Sequence, residues 1–195
     1  MNDGPAQPIP IERRRALLST ARQAIRAALA GNACAGASDG AGAPPAGMPA
    51  TSGVFVTLTL HGQLRGCIGM LETSRALEEA VTECAVAAAT RDDRFAPLTL
   101  EELDRCDLEV SVLTSPRTVS GPGEIEIGRH GVIVSSGWRR GVFLPKVPVE
   151  HRWDVEKLLS EACRKAGLDR DAWRRDATIE VFEAEVFGER DAAQA

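Results

Sequence analysis

Arg65 and Cys67 stand two residues apart in the run Leu64-Arg65-Gly66-Cys67-Ile68-Gly69. A guanidinium beside a thiol favours the thiolate, the form that acts as a nucleophile. On a strand the two side chains share one face, roughly 6–7 Å apart, while Leu64 and Ile68 take the other. Gly66 and Gly69 leave the backbone uncovered by side chains. This pattern suits a reactive or ligand-contacting Cys67, with Arg65 and Gly66 as substrate-binding groups. The competing reading is a small apolar side chain packed in a strand, a common use of free cysteine.

His130 lies in Gly128-Arg129-His130-Gly131 between two short strands. It can serve as a base, a ligand or a turn former. With Cys67 it would form the halves of a thiol–imidazole pair if the fold brought them together. Asp92, Arg94 and Glu102 surround a predicted helix break. They can bind an anionic substrate through Arg94, or pair across the break and cap it. Glu109 and Ser111 share the face opposite Leu108 and Val110 and reach the same polar surface if their strand neighbours that of Cys67. Cys84 and Cys163 fall on apolar helical stripes and read as core. His61 and His151 have no evident partner. No His-x-x-x-His spacing and no Walker or dinucleotide glycine motif occurs, so neither metal nor cofactor is expected.

The elements that hold these residues follow from periodicity. Val54, Val56, Leu58 and Leu60 repeat every second residue, as in a half-buried strand. A three-residue loop, His61-Gly62-Gln63, pairs Leu60 with Leu64 and Val56 with Ile68, uniting the apolar faces. That register sets Thr57 across from Cys67 and Thr59 across from Arg65, making the opposite face polar. Thr73 or Ser74 is expected to cap a helix with the stripe Leu77, Val81, Cys84 and Ala88. Its alanines permit close approach to the sheet. Thr99-Leu100-Glu101-Glu102 has the form of a capping box, and Leu108, Val110 and Val112 alternate as a strand.

Short strands are expected at Ile125 to Ile127, Val132 to Ser135 and Val142 to Leu144. Asp154 caps a helix stopped by Gly167, and a last strand runs from Ile179 to Phe187. Near the start, Leu18, Ala21, Ile25, Ala28 and Leu29 have helical spacing. The domain plan is therefore an N-terminal tail and helix over 1–30, a flexible Gly/Ala/Pro-rich excursion over 31–52 carrying an exposed Cys34, a domain over 53–188 and a tail over 189–195. Helices and strands mix without βαβ alternation. The fold expected is α+β, a mixed or antiparallel sheet flanked by helices, with a smaller β-rich lobe at about 117–150 inserted in the C-terminal half.

Hydrophobic content of 44% with 26% charged residues is that of a globular protein able to bury a core. A net charge of −5 gives no general drive toward nucleic acid or anionic membrane. Arg129, His130, Arg139 and Arg140 are a local basic group, read as solvated. Five cysteines without CxxC spacing fit neither a disulfide scaffold nor a structural zinc site. No run is apolar enough to span a bilayer and no export signal is evident. Together these read as cytoplasmic.

The chain resembles the AMMECR domain family, AmmeMemoRadiSam system protein A in bacteria. The matching pieces are Gly53-Val54-Phe55-Val56-Thr57-Leu58, the hallmark Leu64 to Gly69, Asp92-Asp93-Arg94-Phe95 and Glu109-Val110-Ser111-Val112-Leu113. Further on come Gly128-Arg129-His130-Gly131, Leu144-Pro145-Lys146-Val147, Lys165-Ala166-Gly167-Leu168 and Trp173. The resemblance implies a two-part α+β fold and a suspected site at Arg65 and Cys67. It also implies a Memo-like protein and a radical SAM protein as functional partners. Asp93 replaces a usual proline, and Lys146 a frequent glutamine. Two functions follow as expectations: a cysteine-dependent enzyme or enzyme component, or a non-catalytic module recognising a protein, small ligand or RNA through the same face.

Overall fold

The computed structural model describes residues 8–31 and 53–192. The Gly/Ala/Pro-rich excursion and Cys34 lie outside the described residues. Two compact units divide the chain: Met1–Leu113 with Glu185–Ala195, and Thr114–Ala184. The architecture is α+β, as the patterning predicts, with one four-stranded sheet in each unit.

In the first unit the strands are β1 (Gly53–Leu60), β2 (Gln63–Met70), β3 (Cys106–Leu113) and β8 (Ala184–Gly188), in the order β2-β1-β3-β8. The helices are α1 (Ile11–Leu29), α2 (Leu77–Thr90), α3 (Leu100–Leu103) and α6 (Glu189–Ala192). Val54, Val56 and Leu58 of β1 are fully buried and share a core with Leu17, Leu18, Ala21 and Ile25 of α1 and the α2 stripe. Each valine, leucine or isoleucine among them contributes roughly 1.5–3 kcal/mol by leaving water. The alanines of α2 and Gly66 of β2 fit together closely. A Cβ at Gly66 would collide with the Ala88 carbonyl.

The β1–β2 hairpin departs from the expected loop in an instructive way. Its turn has two residues, with Leu60 opposite Gln63. His61 and Gly62 take φ of 52° and 78°, as a type I′ turn requires. A bulge at Arg65 then separates Leu58↔Gly66 from Thr59↔Leu64. One extra residue in the strand replaces one extra residue in the loop. Beyond it Val56↔Ile68 and Thr57↔Cys67 pair as expected, whereas Leu60↔Leu64 and Thr59↔Arg65 do not form.

The second unit holds β4 (Arg117–Thr118), β5 (Gly131–Ser136), β6 (Arg139–Phe143) and β7 (Thr178–Phe182), in the order β4-β7-β5-β6. Its helices are α4 (Lys146–Glu150) and α5 (Val155–Lys165). Val132, Val134, Leu158, Leu159, Ala162, Ile179 and Val181 form its core. Asp154 accepts the Lys157 N–H at 2.8 Å and caps α5, and Gly167 follows with φ of 71°.

Other boundaries differ from expectation. Neither Thr73 nor Ser74 caps α2, which begins after Ala76; the Thr73 hydroxyl instead accepts the Arg75 N–H. Ile125 to Ile127 is not a strand. Ile125 closes a 3₁₀ turn, and the Glu126 backbone is engaged by His130. The last strand is two, because the chain leaves one sheet at Phe182 and joins the other at Ala184. The tail begins as α6, where the Glu189 carboxylate accepts from Arg22 and from the Leu108 N–H. No helix among the described residues is long and apolar enough to cross a membrane.

Candidate functional site

β2 is an edge strand, so alternate residues turn their backbone groups away from β1. Cys67 is one of them: its N–H donates to Asp92 Oδ2 at 2.8 Å, and its C=O accepts from Arg94 Nη2 at 3.2 Å. Thr57↔Cys67 is therefore a non-hydrogen-bonded pair, the kind in which the strands approach to about 4.5 Å between Cα atoms. Their side chains meet accordingly, with Thr57 Oγ1 and Cys67 Sγ 3.3 Å apart.

Asp92 and Arg94 together occupy the place of a further strand. Arg94 donates to Asp92 through Nε at 2.9 Å, through Nη2 at 2.7 Å and through its own backbone N–H at 3.2 Å. Asp92 is only 5% exposed. The Arg94 hydrogen bond, followed by those of the Cys67 and Arg94 N–H groups, outweighs burial and holds its carboxyl down to about 2. The Arg94 proton is held in turn, first by Asp92 and in smaller part by the nearby charge of Asp93.

Arg65 is directed elsewhere. Sitting in the bulge, it donates to Glu102 through Nε at 3.1 Å and Nη2 at 3.0 Å, and through Nη1 to the Ala96 C=O at 2.9 Å. Glu102 also completes the predicted capping box with Thr99. Its carboxyl is held down to about 2, first by Arg65 and then by the Thr99 N–H. Phe95 lies beneath both guanidinium groups, with Arg94 5.5 Å and Arg65 5.9 Å from its ring centroid. Arg65 and Arg94 thus serve the 92–102 segment and fasten it to the edge of β2.

On the face that carries the thiol, Thr57 is opposite Cys67 on one side and Glu109 on the other, and Phe55 is opposite Gly69 and Ser111. The Phe55 ring occupies the room a Cβ at Gly69 would need. Ser111 is 1% exposed and its hydroxyl has no hydrogen-bond partner among the described residues. Glu109 is half-buried. The sequence-level candidates Arg65, Gly66, Cys67, Arg94, Glu109 and Ser111 accordingly fall in one sheet and its adjoining loop. A cleft between α2 and the end of β2, lined by Ile68, Gly69, Met70, Ala87 and Arg91, includes neither Arg65 nor Cys67.

His130 belongs to the second unit. It is buried, and its Nδ1 accepts the Glu126 N–H at 3.0 Å, which leaves the proton of a neutral ring on Nε2. Nε2 is 4.0 Å from Glu183.

Cys67 is the half-buried thiol of the described set, while Cys84, Cys106 and Cys163 are buried. Burial pushes the Cys84 thiol up to about 11 and raises those of Cys106 and Cys163. No group of three or more His, Cys, Asp or Glu among the described residues is arranged to hold a metal ion. Asp92 and Thr57 are the members the residue-type search passed over as site residues. Alternation alone marks Thr57, and the Asp-x-Arg spacing at the end of α2 marks Asp92.

A crystal structure of protein PH0010 from Pyrococcus horikoshii superposes with a TM-score of 0.79 at 40% identity, covering 93% of each chain. A protein of Methanosarcina acetivorans is 39% identical over 182 residues, which is 91% of this chain and 92% of that one. Protein MK0488 of Methanopyrus kandleri is 50% identical over 149 residues, 71% and 72% of the two chains. The AMMECR1 family model matches residues 18–187. With the hallmark, its glycines and the segment it holds all in place, the chain belongs to the AMMECR1 family.

Proposed function

We propose that this protein is a cytoplasmic enzyme, or a component of one, whose reactive group is the Cys67 thiol, working with a Memo-like protein and a radical SAM protein. One observation carries the reading. The side chains around Cys67 in the hallmark have structural tasks: Arg65 binds Glu102 and the Ala96 carbonyl, Gly66 admits α2, Ile68 packs on the core and Gly69 admits the Phe55 ring. Among the described residues the hydrogen-bond contact of the Cys67 thiol is the Thr57 hydroxyl, on a face where the Ser111 hydroxyl has no described partner. Arg65 and Arg94 act as positioning residues, and Glu109 and Ser111 line the face. The resemblance supplies the partners. His130, in the second unit, is not part of this proposal.

Alkylation rate against pH, resolved by peptide for all five cysteines, tests it. Cys67 is expected to react faster than a model thiol titrating near 8.5. A rate at or below that of the model thiol removes the reactive-thiol reading.

A second reading is a non-catalytic binding module using the same face for a protein, a small ligand or RNA. It is favoured by the pairing of Arg65 with Glu102 and of Arg94 with Asp92, which commits both guanidinium groups to carboxylates of this chain. Retention of the Memo-like and radical SAM partners by Cys67→Ser, with no chemical change dependent on the thiol, would establish it.

A further inference from the structure

We infer that the ligand received beside Cys67 is uncharged or cationic at its contacting group, and that Asp92 excludes anions by neutralising Arg94. The inference rests on Cys67 being the ligand-receiving group. Two guanidinium groups lie near Cys67, Arg65 in the hallmark and Arg94 in the 92–102 segment, and would ordinarily suggest a phosphate or carboxylate ligand. Each is already matched to a carboxylate through two nitrogens: Arg94 to Asp92 at 2.9 and 2.7 Å, and Arg65 to Glu102 at 3.1 and 3.0 Å. Both carboxyls stay ionised far below neutral pH. Asp93, exposed and next in the chain, adds a further negative charge to the surroundings of Arg94.

An anion entering beside the thiol would meet a balanced ion pair plus an excess carboxylate. To take the two-point contact of Arg94 Nε and Nη2 it would have to displace Asp92, which would free the Cys67 N–H as well. The independent pointer to a ligand is Ser111. Its hydroxyl, 1% exposed and without a hydrogen-bond partner among the described residues, lies on the same sheet face as Cys67 and Thr57, on β3 opposite Phe55. A buried hydroxyl left unsatisfied is costly, and a neutral polar group satisfies it without bringing a charge into the sheet face.

Three methanethiosulfonates of like reactivity provide the test on the full chain: trimethylammonium-ethyl (cationic), methyl (neutral) and sulfonatoethyl (anionic). In each case the Cys67 thiolate forms a disulfide with the reagent sulfur, and methanesulfinate leaves with the electron pair of the broken S–S bond. Rates at Cys67 are read by peptide mass spectrometry and divided by those of the same cysteine in the urea-unfolded chain. The cationic-to-anionic ratio is expected to be at least about threefold higher in the native protein. Asp92→Asn should lower that ratio by roughly tenfold, the effect of one nearby charge in a partly solvated setting. Arg94→Gln should raise it, which keeps the test decisive if the Asp92 variant fails to fold. Simple loosening of the fold would speed all three reagents together. A native ratio at or below the unfolded one overturns the inference while leaving Cys67 as the receiving group. Failure of Cys67 to react with any of the three overturns the reading beneath it, and the inference with it.

Discussion

Asp92→Asn removes one charge while keeping the side chain's shape, and its effect can be worked from the geometry. The folded carboxyl titrates at about 2 against an ordinary 3.8, a gap of nearly two pH units. At about 1.36 kcal/mol per unit this amounts to roughly 2 kcal/mol. Arg94, the main partner, is half-exposed, so solvent screening brings the figure down to about 1–2 kcal/mol. Because the folded value is the lower one, the stabilisation is fully present above pH 3.8 and disappears as pH falls through about 2. Urea unfolding of both proteins over a pH series from neutral to about 2.5 measures it. The variant should be less stable by about 1–2 kcal/mol at neutral pH, with the difference shrinking below about pH 4. A neutral-pH difference near zero, or one that stays constant across the series, would refute the claim that the Asp92 charge holds the Cys67 backbone.

Gly66→Ala forces a methyl group against the Ala88 carbonyl and should cost about 1–3 kcal/mol or prevent folding, read from the urea midpoint. For Arg65→Lys and Glu102→Gln, a double-mutant cycle should return a coupling of about 1 kcal/mol or more, because lysine cannot reproduce the two-point contact. His130→Ala leaves the Glu126 N–H without its acceptor and should destabilise by about 1–3 kcal/mol in thermal or urea unfolding. In native protein Cys84, Cys106 and Cys163 should resist alkylation, since burial both shields them and raises their thiols; their labelling should appear only with global unfolding.

Strand alternation made the Thr57–Cys67 contact legible, because the period of two leaves only one face for each residue. The turn was not legible in the same way. A three-residue loop, and a two-residue turn followed by a bulge, give the same pairing from Gly66 onward, and no residue type in His61-Gly62-Gln63 separates them. The bulge matters for the site: it directs Arg65 to Glu102 and the Ala96 carbonyl rather than along the strand face beside the thiol. Asp92 was hidden for another reason. Its acceptor role toward the Cys67 N–H spans 25 residues of sequence, and a backbone donor carries no residue-type signature. Glu102 was half legible, since the capping box shows in Thr99-x-x-Glu102 whereas the Arg65 partnership does not. Ile125-Glu126-Ile127 imitates a strand, but the Glu126 backbone is committed to His130.

Cys67, the reactive group proposed above, is half-buried where the other described cysteines are buried. Paired isotopic labelling tests the proposal most directly: light iodoacetamide on the native protein at neutral pH, then heavy iodoacetamide after unfolding. Cys67 should carry mainly the light label while Cys84, Cys106 and Cys163 carry the heavy one. A heavy-labelled Cys67, protected like the core cysteines, would contradict the account.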